Sequence, residues 1–223
     1  MSRGRVPGFA RRWGAVAAMG LVTVLVLVLY FTPLVGVRSV QVSGLTTLPQ
    51  PQVLAEADVP VGRSMLRVDT AEIQDRLRQD PRVASSEVSL SWPSTVRIEV
   101  AERAPAAFVP QPGGVRLADA QGVLFADAPA PPPGLLELRM PPDGATARAA
   151  MGVVGALPPD LRSQVVAVSA TTPRDIRLEL SGGRRVVWGE PTQSDRKAAV
   201  LPLLMTRPGH VFDVSSPVLP TVS

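Results

Sequence analysis

The stretch from Val88 to Phe108, VSLSWPSTVRIEVAERAPAAF, contains two runs in which apolar and polar residues alternate. The apolar positions of each run share one face, and they are Val88, Leu90 and Trp92, then Val96, Ile98 and Val100. Alternation with period two is typical of a strand with one buried face. Pro93-Ser94 favours a turn between the runs, because proline fixes φ and lacks an N–H. The stretch therefore predicts a β-hairpin that needs a covering layer and stops at Glu102-Arg103-Ala104-Pro105.

The segment before the hairpin predicts that layer. Residues 37–42 alternate and predict a strand, and a short helix follows with an apolar side made of Val53, Leu54 and Ala57. Asp69-Thr70-Ala71-Glu72 has the spacing of a capping box that begins a second helix. Pro81 ends that helix by Asp80, since proline cannot continue it. The order over residues 37–103 is strand, helix, helix, strand, strand, and helices with single apolar faces can cover the sheet.

The charges exclude a nucleic-acid binder. Four of the 23 basic residues lie within residues 1–12, which contain no acid, and the remaining 19 balance the 19 acidic residues. The folded part therefore lacks the basic excess that attraction to phosphates requires. The chain has no cysteine, which excludes disulfides, thiol catalysis and cysteine-ligated metal sites. We expect no cofactor and no metal.

Residues 13–34 are uncharged and largely apolar, which predicts a transmembrane helix. The arginines within residues 1–12 favour a cytoplasmic N-terminus, so the bulk of the chain would lie outside the membrane. The alternative is a cleaved signal peptide. The apolar run exceeds the ~7–15 residues of a signal h-region, and no Ala-x-Ala-like site follows it, so a retained anchor is favoured.

The region after residue 105 predicts a second, β-rich unit. Gly114 to Asp127 reads as two strands around a turn at Asp119–Gly122. Residues 145–156 and 193–206 predict helices, the second weakened by Pro202. Further predicted strands are 165–169, 176–180, 185–189 and 210–214.

The chain resembles the bacterial cell-division FtsQ/DivIB family, and residues 37–103 resemble its POTRA domain. The motifs that carry this resemblance are V-x-G at 42–44, GRSMLRVDT at 62–70, DPRV at 80–83, VSLSWPSTVRIEV at 88–100 and E-R-x-P at 102–105. The fold class implied is α+β: a single N-terminal transmembrane helix, a POTRA domain of order β-α-α-β-β, and a β-rich domain with one or two helices. The implied boundaries are 1–12 cytoplasmic tail, 13–34 transmembrane helix, 35–103 POTRA domain, 104–216 β domain and 217–223 C-terminal tail.

The resemblance implies a non-enzymatic divisome scaffold that helps regulate septal peptidoglycan synthesis. Its implied partners are small coiled-coil division proteins like FtsB/DivIC and FtsL, septal wall synthases, and the lipid bilayer through residues 13–34. The implied location is the cell membrane at the division septum, as a single-pass type II protein. The alternative is a POTRA-containing, membrane-anchored component of transport, secretion or envelope assembly.

The predicted last strand, residues 211–214, is the candidate binding site. It is followed by serines and prolines that stop its extension, and an edge strand with free N–H and C=O groups can accept a partner strand. The alternative is an interior or covered edge. In FtsQ-like proteins this region receives the FtsB-like partner. On that resemblance the partner-binding residues are Phe212, Asp213, Val214, Ser215 and Ser216. A second candidate surface is the POTRA sheet edge, formed by Val37–Val42 or Val96–Val100.

The sequence offers little support for a catalytic function. Ser194-Asp195-Arg196-Lys197 matches the S-x-x-K motif of penicillin-recognising enzymes, but no S-D-N or K-T-G motif follows. We interpret it as a helix start with a solvated charged face. A wall hydrolase or transferase would be distinguished by an activity that Ser194→Ala abolishes. His210, the single histidine, reads as a surface or strand-start residue.

Overall fold

The computed structural model describes residues 14–24 and 36–223, which form two compact units divided after Glu102. Residues 14–24 are helical. Half of the predicted transmembrane helix, residue 13 and residues 25–34, lies outside the described residues, as does the predicted tail 1–12. Across the described ranges, no helix has both the length and the apolar character needed to cross a membrane.

The N-terminal unit has the predicted order of elements. Its elements are β1 Ser39–Ser43, α1 Gln50–Ala57, a 3-10 turn at Met65–Arg67, α2 Thr70–Leu77, β2 Val83–Ser91 and β3 Thr95–Glu102. The sheet order is β1-β3-β2, with β1 parallel and β2 antiparallel to β3. The order strand, helix, helix, strand, strand is confirmed. The suggestion that Val96–Val100 form a sheet edge is wrong, because β3 is paired on both sides, whereas β1 is an edge strand.

The two helices cover the sheet as the sequence predicts. Asp69 caps α2 by accepting hydrogen bonds from the N–H groups of Ala71 and Glu72, at 3.0 and 3.1 Å. The core joins side chains of both helices to the inner face of β2 and β3, and it includes Val53, Ala57, Ile73, Leu77, Val88, Val96, Ile98 and Val100. Trp92 departs from its predicted face, because it lies in the β2–β3 turn and is 53% exposed.

Glu102 explains why the alternating pattern stops where it does. Its carboxylate accepts hydrogen bonds from the N–H groups of Thr46, Thr47 and Leu48 and from the Thr47 hydroxyl, at 2.5–3.0 Å. Burial alone would raise the pKa of Glu102, but these hydrogen bonds outweigh it and lower the pKa from 4.5 to about 2. The last residue of β3 thereby holds the loop that leads into α1.

We expect Glu102→Gln to reduce the free energy of unfolding of the N-terminal unit by about 1–2 kcal/mol at pH 7. Because Glu102 is partly accessible to solvent, the loss should be smaller than the full pKa shift implies. A lowered folded-state pKa stabilises above the unfolded pKa of 4.5, and this stabilisation fades as the pH falls towards about 2. Urea unfolding at pH 7 and pH 3 measures both effects. The exposed Glu99→Gln on the same strand is the control, and equal losses in the two variants would refute this role.

The C-terminal unit, Arg103–Ser223, is a nine-stranded sheet with three helices. Its strands are β4 Ala107–Gln111, β5 Gly114–Ala118, β6 Leu124–Ala128, β7 Leu136–Arg139, β8 Val165–Ala170, β9 Ile176–Leu180, β10 Arg185–Gly189, β11 Val211–Asp213 and β12 Thr221–Val222. Its helices are α3 Gly144–Ala156, the single turn α4 Pro159–Arg162, and α5 Ser194–Leu204. The expectation of one or two helices thus omitted α4.

The sheet order is β12-β11-β10-β9-β8-β7-β4-β5-β6, and α3 and α5 pack against it around one core. That core contains Leu138, Ala147, Ala150, Val168, Leu178, Val186, Trp188 and Leu201 among others. Arg103, the second residue of the E-R-x-P motif, forms an ion pair with the buried Asp119 of the β5–β6 turn. The two neighbouring residues of the motif therefore make contacts within different units. Glu102 binds the loop before α1 in the N-terminal unit, and Arg103 pairs with Asp119 in the C-terminal unit.

Candidate partner-binding edge

The candidate edge is built from β10, β11 and β12. β9 and β10 form an antiparallel hairpin, and α5 then carries the chain back so that β11 lies parallel to β10. Residues 216–220 turn, with the N–H of Leu219 donating to the carbonyl of Ser216 at 3.1 Å. This turn brings Thr221 opposite Asp213 and Val222 opposite Phe212 in an antiparallel pair.

The main-chain groups of β11 face two sides. Towards β10, the N–H of Val214 donates to Val187 O at 2.9 Å, and the N–H of Arg185 donates to His210 O at 2.8 Å. Towards the tail, Val211 exchanges two hydrogen bonds with Ser223, at 2.9 and 3.0 Å, and the N–H of His210 also donates to Ser223 O. The outer side of β11 is therefore occupied by residues 221–223.

The expectation that β11 is the last strand at an open edge is wrong. The serines and prolines after it do not end the sheet but form the turn that leads to β12. β12 is only two residues long, so it closes the outer side of β11 with few hydrogen bonds. The segment predicted as a tail, 217–223, contains this closing strand.

The structure divides the five candidate residues into two kinds. Phe212 and Val214 are 1% and 0% exposed and belong to the core. Ser215 and Ser216 are exposed, and Asp213 is half-buried with its carboxylate accepting from the N–H of Ser215 at 2.8 Å. The side chains of Phe212 and Val214 are therefore inaccessible to a partner, and these residues anchor the strand in the core. The other three residues also present side chains to solvent.

A buried lysine on α5 binds the end of β10, the strand next to β11. Lys197 lies on α5, is 1% exposed, and donates from Nζ to the carbonyls of Trp188 and Glu190, at 3.1 and 2.8 Å. Its burial lowers the pKa of the ammonium group, and the carboxylates of Glu190 and Asp213 partly offset this. The interpretation of this helix start as a solvated charged face is therefore wrong for Lys197, which fixes the end of β10 beside β11.

The other chemical candidates take ordinary structural positions. The hydroxyl of Ser194 donates to Pro191 O at 2.7 Å and accepts from Trp188 Nε1 at 3.2 Å, while Lys197 Nζ bonds the two carbonyls named above. His210 is exposed immediately before β11. Within the described ranges, no three His, Asp or Glu side chains group in a way that could hold a metal ion.

Sequence reasoning missed two contributors to this edge. The first is β12, whose two residues, Thr221 and Val222, are β-branched but too few to show periodicity. The second is Gly189. For Gly189 the sequence predicts only the end of a strand. Its φ is +73°, and a Cβ there would lie 3.1 Å from Ser215 Cβ, so a larger residue would press on the segment after β11.

Comparison with known proteins gives the context of this edge. A family model described as "POTRA domain, FtsQ-type" matches residues 35–103, and one described as "Cell division protein FtsQ/DivIB, C-terminal" matches residues 107–216. "Cell division protein FtsQ" of Streptomyces coelicolor is 35% identical over 213 residues, covering 88% of this chain and 81% of that protein. The chain belongs to the FtsQ/DivIB family.

Other FtsQ relatives extend the comparison. "Cell division protein FtsQ" of Mycolicibacterium smegmatis is 42% identical over 212 residues, which cover 94% of this chain. The match spans 63% of the length of that relative. A solved structure, the major extracytoplasmic domain of the cell division protein DivIB from Geobacillus stearothermophilus, aligns with 46% of this chain and 91% of its own, at 16% identity and a TM-score of 0.36.

Family membership confirms the predicted combination of a POTRA domain and a β-rich domain in an α+β fold. It also identifies the chain as a member of a family of cell division proteins.

Proposed function

We propose that this chain is a non-enzymatic scaffold of the division machinery that binds other membrane division proteins and helps regulate septal peptidoglycan synthesis. The proposed partners are small coiled-coil proteins like FtsB/DivIC and FtsL, together with septal wall synthases. Membership of the FtsQ/DivIB family supports a role in division.

The observation that carries the proposal is the weakly closed outer side of β11. A partner strand that replaces the two-residue β12 gains the main-chain groups of Val211 and Asp213 on that side. In such β-augmentation the main-chain hydrogen bonds give affinity, and exposed side chains give specificity. Asp213, Ser215 and Ser216 would supply the specific contacts, while Phe212 and Val214 hold the strand in the core.

Membrane anchorage is part of the proposal. Residues 13–34 would cross the cell membrane once in type II orientation, with residues 1–12 in the cytoplasm. The POTRA domain, 35–103, the β domain, 104–216, and the tail, 217–223, would lie outside. Confinement to one membrane raises the effective concentration of anchored partners, so that a short strand interface suffices for binding.

Localisation of a fluorescent fusion placed before Met1, in dividing cells, tests this proposal. We expect a band at the division site, loss of septation on depletion, and recovery with the intact chain. An even signal around the envelope, together with normal division after depletion, would refute the division scaffold.

A further inference from the structure

Three segments of the POTRA domain meet where the chain enters β1. The N–H of Val37 donates to Arg63 O at 2.9 Å, and the N–H of Gly62 donates to Val37 O at 2.8 Å. On the other side, the N–H of Arg38 donates to Ser94 O at 2.8 Å. The loop before α2 and the β2–β3 turn thus flank the entering chain. We call the exposed side chains here the entry face: Arg38, Val61, Arg63, Leu66 and Trp92.

The entry face concentrates the exposed apolar side chains of its domain. Val61 is 68% exposed, Trp92 53% and Leu66 46%. Within residues 36–102 these three are the large apolar side chains that stand in solvent, and they belong to the segments 60–67 and 92–94, whose backbones flank the start of β1. Isolated exposed apolar residues need no explanation, but their concentration at one end of a small domain indicates a contact surface.

Two arginines accompany these apolar groups. Arg38 and Arg63 are exposed, and neither forms an ion pair with a carboxylate in the described part of the chain. Three acids, Asp58, Asp69 and Glu72, line the groove beside Arg63, together with Arg67 and Arg76. The carboxylate of Asp69 caps α2, and that of Glu72 pairs with Arg76. The face therefore offers an aromatic ring, aliphatic groups and two guanidinium groups, those of Arg38 and Arg63, that form no ion pair within the described residues.

The position of the chain indicates what covers this face. The predicted span ends at residue 34 and Gly36 pairs with Ser64 in the domain, so at ~3.5 Å per residue the start of the domain would lie within about 10 Å of the bilayer surface. Tryptophan favours the membrane–water interface, and arginines favour anionic headgroups. Three apolar side chains are too few for a stable protein interface of ~1,200–2,000 Å². A contact with lipid can be smaller, because a membrane anchor would keep the domain at a high effective concentration near the bilayer.

We propose that the entry face docks on the anionic phospholipid surface from which the chain emerges, with Trp92 at the interface and Arg38 and Arg63 on lipid phosphates. This inference rests on the membrane anchor of the proposed function. Docking would fix the orientation of the POTRA domain relative to the bilayer.

Fluorescence quenching by lipid-borne nitroxides tests the docking on the full chain in nanodiscs. Since the natural chain has no cysteine, Val61→Cys, Ser43→Cys and Leu21→Cys each carry one fluorophore. Ser43 is exposed at the opposite end of β1, and Leu21 lies in the predicted span. With phosphatidylglycerol discs we expect quenching of the Val61 and Leu21 labels at least about twice that of the Ser43 label. Adding Trp92→Ser with Arg38→Gln should bring the Val61 label down to the Ser43 level.

The outcomes separate the docking from the anchor. Strong quenching at Leu21 with equal, weak quenching at Val61 and Ser43 would overturn the docking and leave the anchor in place. Absence of quenching at Leu21 would overturn the anchor and the docking together. Equal quenching at Val61 in phosphatidylcholine and phosphatidylglycerol discs would overturn the role assigned to the anionic headgroups.

Discussion

Deletion of residues 217–223 is expected to tighten the binding of the FtsB-like partner by about 5- to 30-fold. The deletion removes β12, which otherwise occupies the outer side of β11 through a few hydrogen bonds. Each such bond contributes ~0.5–1.5 kcal/mol net, and ordering the tail offsets part of their sum. A competing tail worth ~1–2 kcal/mol corresponds to that range of affinity. Isothermal titration of the partner into both chains measures the change.

The matched control keeps β12 and changes only the turn before it. Val218 and Leu219 are 66% and 77% exposed, so Val218→Ser with Leu219→Ser should leave the affinity unchanged. Weaker binding after the deletion would mean that β12 belongs to the partner's site and does not compete with it. Deletion of all residues from 211 onward is a poorer test, because it also removes Phe212 and Val214 from the core.

Gly122→Ala is expected to lower the free energy of unfolding of the β domain by about 3–5 kcal/mol, at the high end for one substitution. Gly122 ends the turn that Asp119 organises, and its φ is +77°. A Cβ there would lie 2.4 Å from Ala147 O and 2.6 Å from Arg148 Cα, both backbone atoms of α3. The helix would have to move away from the turn. Urea unfolding followed through the buried Trp188 measures the loss.

Gly113→Ala separates the clash from the backbone strain. Gly113 also has a positive φ, +86°, but a Cβ there would meet nothing within 4 Å. We expect that substitution to cost about 1–2 kcal/mol, the strain of a left-handed residue alone. Equal losses at Gly122 and Gly113 would contradict the close approach of α3 to the turn.

Local signals predicted the POTRA domain well. The cap at Asp69 and the alternation in β2 and β3 involve residues close in sequence, and the structure has both. The second half of the predicted capping box is not formed, because the Glu72 carboxylate pairs with Arg76. Strands β4 and β7 were not predicted. Pro110 obscures β4, and it is tolerated because β4 pairs with β7 only through Ala107 and Phe108.

The edge at β11 depends on contacts that no local pattern contains. The sequence predicts a solvated Lys197, because its acceptors, the carbonyls of Trp188 and Glu190, reach it only once α5 packs on the sheet. β12 has two residues and therefore no periodicity, so its pairing with β11 follows only from the turn at 216–220. The sequence predicts the segment that contains the candidate residues, but it does not predict which of their side chains are buried.

The most direct test of the central claim is a reversible lock of β12 onto β11. Asp213 and Thr221 lie directly opposite each other, and such pairs in antiparallel strands have Cα atoms ~4.5–5.5 Å apart, within the range of a disulfide. Since the natural chain has no cysteine, Asp213→Cys with Thr221→Cys introduces this bond alone. We expect the oxidised protein to bind the FtsB-like partner at least about tenfold more weakly than the same protein after reduction. Equal binding in the two states would contradict the claim that the partner strand replaces β12 on β11.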